Sequence, residues 1–312
     1  MKYFFNIKNK VKRKINLNSL ISNKKRLSKI YLSLLKSDKI NIYDIGAGHR
    51  ILNELINFDQ ISNIYLIDPN KNLDISYKKL IKNLKVNNNV YKFFNAISDK
   101  TQTRDYYQSI NSTSSTFSLN KQKHKIFKKY YPSDPVKIKT YSFSEFKKIN
   151  SLKNPDIVKI DVEGHETKIT NSIIKNFSPL IFQIETNVNN DIFEKSFLKI
   201  QNLLNKNEYK LYSILPVFGN FDPILKEFIV SNNKVNFFDT EFNINKRCVS
   251  QIECYFVKKK RYSLKDLICF SAFGIIDLFY EQINSKDIKV SKKIKKRLIE
   301  IYKIQNNLKI IK

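Results

Sequence analysis

The sequence predicts an α/β protein, a doubly wound and mostly parallel sheet with helical N- and C-terminal extensions. Three observations carry this. From residue 40 onward, short apolar runs of strand length alternate with stretches of helical periodicity, the pattern of strand–crossover–strand units. Two of only five glycines, Gly46 and Gly48, fall together straight after the first run, where a strand-to-helix turn needs positive φ. Both ends of the chain are basic and helical in spacing. The expected boundaries are a basic helical extension at 1–38, a central domain at 39–260 and a second basic helical extension at 261–312.

In the first extension, Leu20, Ile21, Leu27, Ile30, Tyr31 and Leu34 share a helical face. NIYDIG (41–46) reads as a strand and turn, and Ile51, Leu52, Leu55 and Ile56 as a helix after it. IYLID (64–68) is a second strand, 72–86 a helix, and VYKFFNAI (90–97) a third strand. Residues 100–135 are polar and too long for an ordinary connection, so they read as a functional or disordered loop. VKIKTY (136–141) is a strand, and Ser142 with Glu145 has the spacing of a capping box. DIVKID (156–161) and PLIFQIE (179–185) are the fourth and fifth main strands, with helices after them at 167–177 and 193–206. YKLYSI (209–214) and CYFVKK (254–259) are late strands, with a loop expected around Pro216–Pro223. The remainder is helical.

The charge balance is 57 Lys+Arg against 28 Asp+Glu, a net +29. It suits nucleic acid, anionic lipid or a phosphorylated substrate. A compositional origin competes, because Lys, Asn and Ile are abundant throughout, as in an A/T-rich coding background. Cys248, Cys254 and Cys269 show no CxxC spacing, and the three histidines (49, 124 and 165) are scattered, so neither a disulfide framework nor a metal site is expected. The N-terminus lacks the apolar stretch of a secretory signal, and no run is long enough to span a membrane. A soluble, cytoplasmic protein is expected.

The first strand ends IYDIGAGHR. A dinucleotide fingerprint would carry a third glycine where Ile51 stands, and no Gly-Lys-Ser/Thr of a P-loop follows. Asp44 instead stands two residues before Gly46, and Asp68 ends the second strand about twenty residues beyond, where an acid can accept hydrogen bonds from ribose hydroxyls. Asp-x-Gly-x-Gly after a first strand resembles the cofactor loop of class I S-adenosylmethionine methyltransferases, which have a Rossmann-like fold.

The central block is similar to the FkbM family of methyltransferases over roughly residues 40–190. YDIGAG, LIDPN, NAISD (95–99), the Ser-rich NSTSSTF (111–117), VKIDVEGHE and QIE (183–185) carry the resemblance, the fourth-strand motif being the most specific. Gly48 and Arg50 depart from the family's Asn and Gly in the first loop, and Phe143-Ser144 from its Leu-Asp. The resemblance implies an S-adenosylmethionine-dependent O-methyltransferase acting on a hydroxyl of a sugar, glycan or other small molecule, often in polysaccharide or natural-product assembly. It implies cofactor contacts at Asp44, Gly46, Gly48, Asp68, Ala96 and Asp99.

Ligands of such sheets bind beyond the carboxyl ends of the strands, so Asp44, Asp68, Asp161 and Glu185 are expected to rim a cleft rather than sit in the core. An alcohol nucleophile needs a base. Asp161, Glu163 and His165 are the candidates, Asp161 first as the strand-end residue. His165 is otherwise read as a surface residue and Glu166 as a helix cap. Two rival readings remain open. One is a nucleic-acid methyltransferase, suggested by the charge, although DVEG holds no proline of the Asn/Asp-Pro-Pro-Tyr type and an acidic mouth repels phosphate. The other is a non-catalytic interaction module acting through its basic ends, with peripheral membrane contact.

Overall fold

β1 (Ile40–Ile45) and β7 (Ile157–Ile160) are buried at every position, as strands covered on both faces must be. The computed structural model describes residues 17–48, 61–84, 89–108, 116–117, 128, 131–187, 197–222, 227–229, 247–285 and 290–309. The helix expected at 51–56 lies outside them.

The remaining strands of the main sheet are β2 (Ser62–Ile67), β3 (Val90–Phe93), β8 (Ile181–Asn187), β9 (Tyr209–Asp222), β10 (Glu227–Ile229) and β11 (Arg247–Lys258). Their order is β10-β9-β11-β8-β7-β1-β2-β3. From β3 to β8 all pairs are parallel, and β11 enters antiparallel between β8 and β9. Chain order reverses between β1 and β7, which opens a crevice at the carboxyl ends there. This is the Rossmann-like, doubly wound arrangement expected from the sequence. Tyr43, Ile45, Tyr65, Ile67, Val158, Ile160, Phe182 and Ile184 supply much of one core cluster. Ile169 and Ile173 of α4 (Glu166–Ile174) and Ile200 and Leu204 of α5 (Phe197–Lys206) close over it.

Three expectations are corrected. The run 90–97 is two strands, not one. β3 stays in the main sheet, whereas β4 (Ala96–Ser98) joins a three-stranded sheet of order β4-β6-β5. β6 (Val136–Ser142) belongs to that small sheet, and β5 (Gln102–Tyr106) forms inside the stretch read as loop. Lastly, β9 runs on through Pro216. Among the described residues β10 pairs with 220–222 of β9 and Pro216 pairs with Ile252 of β11 alone, an edge position where a missing donor is tolerated.

Helix α2 (Leu73–Leu84) follows β2. At α3 (Phe143–Ile149) the Ser142 hydroxyl accepts from Glu145 N at 3.2 Å, half of the expected box. The Glu145 carboxylate instead accepts from the Thr101 hydroxyl, which itself accepts from Ser142 N at 3.1 Å.

The chain divides into two units, Lys39–Arg261 and a second made of Met1–Asp38 with Tyr262–Lys312. The second holds α1 (Leu17–Leu35), α6 (Leu264–Ala272), α7 (Ile276–Asn284) and α8 (Lys292–Lys309). Its interior includes Leu27, Ile30, Leu267, Phe270, Phe279, Leu298 and Ile301. The Tyr31 hydroxyl lies 2.8 Å from Ser271 Oγ and accepts from Gln305 Nε2 at 3.1 Å. Arg26 pairs with Glu300 at 2.6 Å, and Arg297 reaches Ser33. A full capping box between Ser263 and Asp266 starts α6. No described helix is long and apolar enough to cross a membrane.

Candidate functional site at the carboxyl edge of the sheet

The glycine turn is built by backbone contact. Gly46 has φ +79°, and a Cβ there would lie 1.7 Å from the Asp161 carbonyl oxygen. Only glycine permits this approach. Gly46 N donates to Ile67 O and Asp161 N to Ile45 O, both at 2.9 Å, so the ends of β1, β2 and β7 are laced together. Gly48 has φ +54° and open space around its missing side chain.

An open cleft lies against this turn. Gly46, Asp68, Asn95, Ala96, Asp161 and Glu163 contribute to its lining, with Tyr106 and Phe117 as aromatic wall. Asp68 also braces the turn, its carboxylate accepting from Gly48 N at 3.1 Å and from Asn70 N at 2.9 Å. Of the candidates named from sequence, Gly46, Asp68, Ala96, Asp161 and Glu163 meet at one cleft, with Gly48 tied to it through Asp68.

Asp44, Asp99 and His165 do not line it. Asp44 is wholly buried, contrary to the rim position expected. Neither of its carboxylate oxygens has a hydrogen bond, and the Lys159 ammonium stands 3.4 Å away. Burial raises the Asp44 carboxyl above its ordinary range against the pull of Lys159. Asp99 turns to Ser98, whose hydroxyl donates to it at 2.8 Å, and to Arg104 at 3.7 Å.

His165 is buried, not at the surface. Its Nε2 lies 2.9 Å from Ser98 Oγ and 3.3 Å from Arg104 Nη1, and its ring packs on Phe117. Burial, then the Arg104 charge, push its pKa down to about 3. At neutral pH it joins β4 to the start of α4 and carries no charge.

Sequence reasoning missed Lys159. Its ammonium lies 3.1 Å from Asp161 Oδ2 as well as 3.4 Å from Asp44, with its side chain 8% exposed. Burial disfavours the cation, but Asp44 and Asp161 outweigh it and raise the pKa, so Lys159 stays protonated. The signal was present in the strand IVKID. A lysine inside an apolar run needs an anion, Asp161 two residues on shares its face, and β1 places Asp44 directly opposite in the parallel register. Glu185 at the end of β8 is pushed up to about 8 by burial and then by the Asp161 charge. Three carboxyl groups thus act on one ammonium.

Beyond Asp161 the chain turns through Glu163 (φ +52°) and Gly164 (φ +93°). A non-glycine residue at positive φ is strained and needs outside support. Thr116 Oγ1 donates to Glu163 O at 2.7 Å, and the Glu166 carboxylate accepts from Gly164 N at 2.7 Å. Glu166 is buried and its pKa is pushed up to about 7 by burial, a bracing group rather than a rim group. Among the described residues no cluster has the make-up of a metal site.

Comparison with known proteins adds the following. The family described as Methyltransferase FkbM domain matches residues 44–211. Among solved structures the chain is similar to a precorrin-6y C5,15-methyltransferase from Geobacter metallireducens, with 14% identity over 75% of this chain and 88% of that one, TM-score 0.37. It is also similar to an rRNA methylase from Streptococcus thermophilus, with 7% identity over 78% and 97%, TM-score 0.36. At these scores neither likeness carries an argument about this chain. No curated protein matches it.

Proposed function

The chain belongs to the FkbM methyltransferase family and is a methyltransferase, and from this premise we propose that it moves a methyl group from S-adenosylmethionine to a hydroxyl of a sugar, glycan or other small molecule. The observation that supports it most is the contact of Gly46 with the Asp161 backbone, which puts Asp161 beside Asp68 at one cleft.

The residues fit the donor. Asp68 would accept from its ribose hydroxyls, the Gly46–Gly48 turn would leave room for the nucleoside, and Ile67 with Ala96 would give the base an apolar floor. An acidic cleft with one compensating lysine favours a cation. When bound, the donor supplies an electrophilic methyl on a positively charged sulfur.

The protein's remaining task is alignment and proton removal. Asp161 lines the cleft with a side chain 29% exposed, placed to accept the proton of an acceptor hydroxyl. Lys159 fixes its direction through an ion pair at 3.1 Å. Glu163 adds negative charge at the same wall. His165, neutral and behind Phe117, positions Ser98 and α4 and takes no proton. Tyr106 and Phe117 offer the flat apolar faces that a sugar ring packs against.

A labelled-methyl assay with nucleotide sugars, glycans and RNA as acceptors tests the reading. The expected result is label in a carbohydrate hydroxyl, with Asp161→Asn reducing turnover by about 10²–10⁴-fold. Label found only in RNA, or full activity in Asp161→Asn, overturns it.

A further inference from the structure

The net charge of +29 is not spread evenly. The helical unit, residues 1–38 and 262–312, holds 22 Lys+Arg against 6 Asp+Glu, a net +16 in 89 residues. The sheet unit holds the other 35 against 22, a net +13 in 223 residues. A coding background rich in lysine would charge both alike, so the roughly threefold higher density in the helices is a property of that unit.

Within it the excess sits on two helices. The sequences of α1 and α8 contain eleven Lys+Arg and one acid, Glu300, which is already paired with Arg26. α8 buries Leu298, Ile301 and Ile304 and exposes Lys292, Lys293, Lys295, Lys296 and Lys303. Ile299 is 39% exposed among these lysines, and Leu32 of α1 is 36% exposed. Tyr280, 47% exposed, stacks on Tyr302 of α8 with ring centroids 4.2 Å apart.

We propose that the α1/α8 face docks on an anionic lipid surface. Three features favour lipid over nucleic acid. The exposed cations are ammonium groups, which answer a diffuse surface potential, whereas the arginine forks suited to phosphodiester and base edges are engaged by Glu300 and Ser33. Apolar Ile299 and Leu32 stand among the charges, where the headgroup boundary accepts them and a phosphate backbone offers them nothing. Tyr280 and Tyr302 are rings with polar tips, suited to the same boundary. These lysines are already exposed in the folded unit, so docking requires no unfolding of it.

The test is co-sedimentation of the full chain with phosphatidylglycerol and with phosphatidylcholine vesicles at low and high salt. Binding to the anionic vesicles alone, weakened by salt, is expected. Lys292, Lys293, Lys295 and Lys296 changed together to Gln lower the affinity by on the order of several hundredfold, at roughly fivefold per lysine. Four exposed lysines of the sheet unit, Lys71, Lys148, Lys175 and Lys206, changed to Gln lower it far less. Ile299→Ser, which removes apolar contact without adding a charge, weakens binding at high and low salt alike. An unchanged melting curve shows that each variant is folded. No anionic-vesicle binding, equal losses in the two lysine sets, or capture of a single-stranded RNA oligonucleotide without vesicle binding each overturn the proposal. None of these outcomes depends on methyl transfer.

Discussion

The two units use lysine in opposite ways. In the sheet unit Lys159 is buried, protonated and held between Asp44 and Asp161. In the helical unit Lys292, Lys293, Lys295, Lys296 and Lys303 of α8 are exposed beside a buried aliphatic face, and the one acid in the sequences of the two basic helices, Glu300, is taken by Arg26. Inside, a charge survives only with partners at hydrogen-bonding distance, so each one reports a designed arrangement. Outside, single charges mean little and only their regional density informs. Composition alone cannot separate these cases, because +29 counts both equally.

Breaking the buried arrangement should have the largest effect on stability. Lys159→Met leaves carboxyl groups uncompensated in the interior and should cost about 3–5 kcal/mol, read as a lowered denaturant midpoint. Lys159→Arg should recover part of that. If Lys159→Met is neutral, the pairing with Asp44 and Asp161 is not what holds the edge.

Pure packing in the helical unit comes next. Leu298→Ala removes a fully buried side chain from α8 and should cost about 2–4 kcal/mol. A loss below about 1 kcal/mol would mean that α8 is not docked through this face.

The pH dependence from His165 is comparable in size but appears only in acid. Its folded pKa of about 3 lies below the ordinary 6.5. Above 6.5 both folded and unfolded chains are neutral at this group, and it contributes no slope. Below 6.5 the unfolded chain takes a proton that the native chain refuses, so stability falls until the native group titrates near 3. The full effect is up to about 5 kcal/mol. Urea melts from pH 7 to 4 should show His165→Gln losing less stability than wild type over that window. Parallel curves would contradict the neutral, buried assignment.

The smallest effect is expected from the exposed lysines. Changing Lys292, Lys293, Lys295 and Lys296 to Gln should shift folding stability by no more than about 0.5 kcal/mol each, by thermal melting. A large loss would show that they pair structurally rather than face solvent.

What the sequence disclosed follows from the same physics. The central strands were legible because burial on both faces makes them mostly apolar runs, as in β1, β2 and β7. Gly46 was legible because so few glycines exist to be misread. The small sheet was legible only in part: β6 was read as a strand from VKIKTY, but β5 (QTRDY) is polar and largely half exposed, and nothing in either says which sheet it joins. Asp44 was correctly placed at a strand end but wrongly put on the rim, since nothing in a strand pattern tells which side of a turn a carboxylate takes. Lys159 was readable only once the β1–β7 register was known. His165 was misread because Ser98 and Arg104, which bury it, lie more than sixty residues away in the chain.

Calorimetric titration of S-adenosylmethionine into the wild-type chain and Asp68→Ala tests most directly the claim that this carboxyl edge is a donor site. Saturable binding to the wild type, weakened at least tenfold in Asp68→Ala with the fold intact, is the predicted result. Absence of binding to the wild type, or equal affinity in the two proteins, would contradict it.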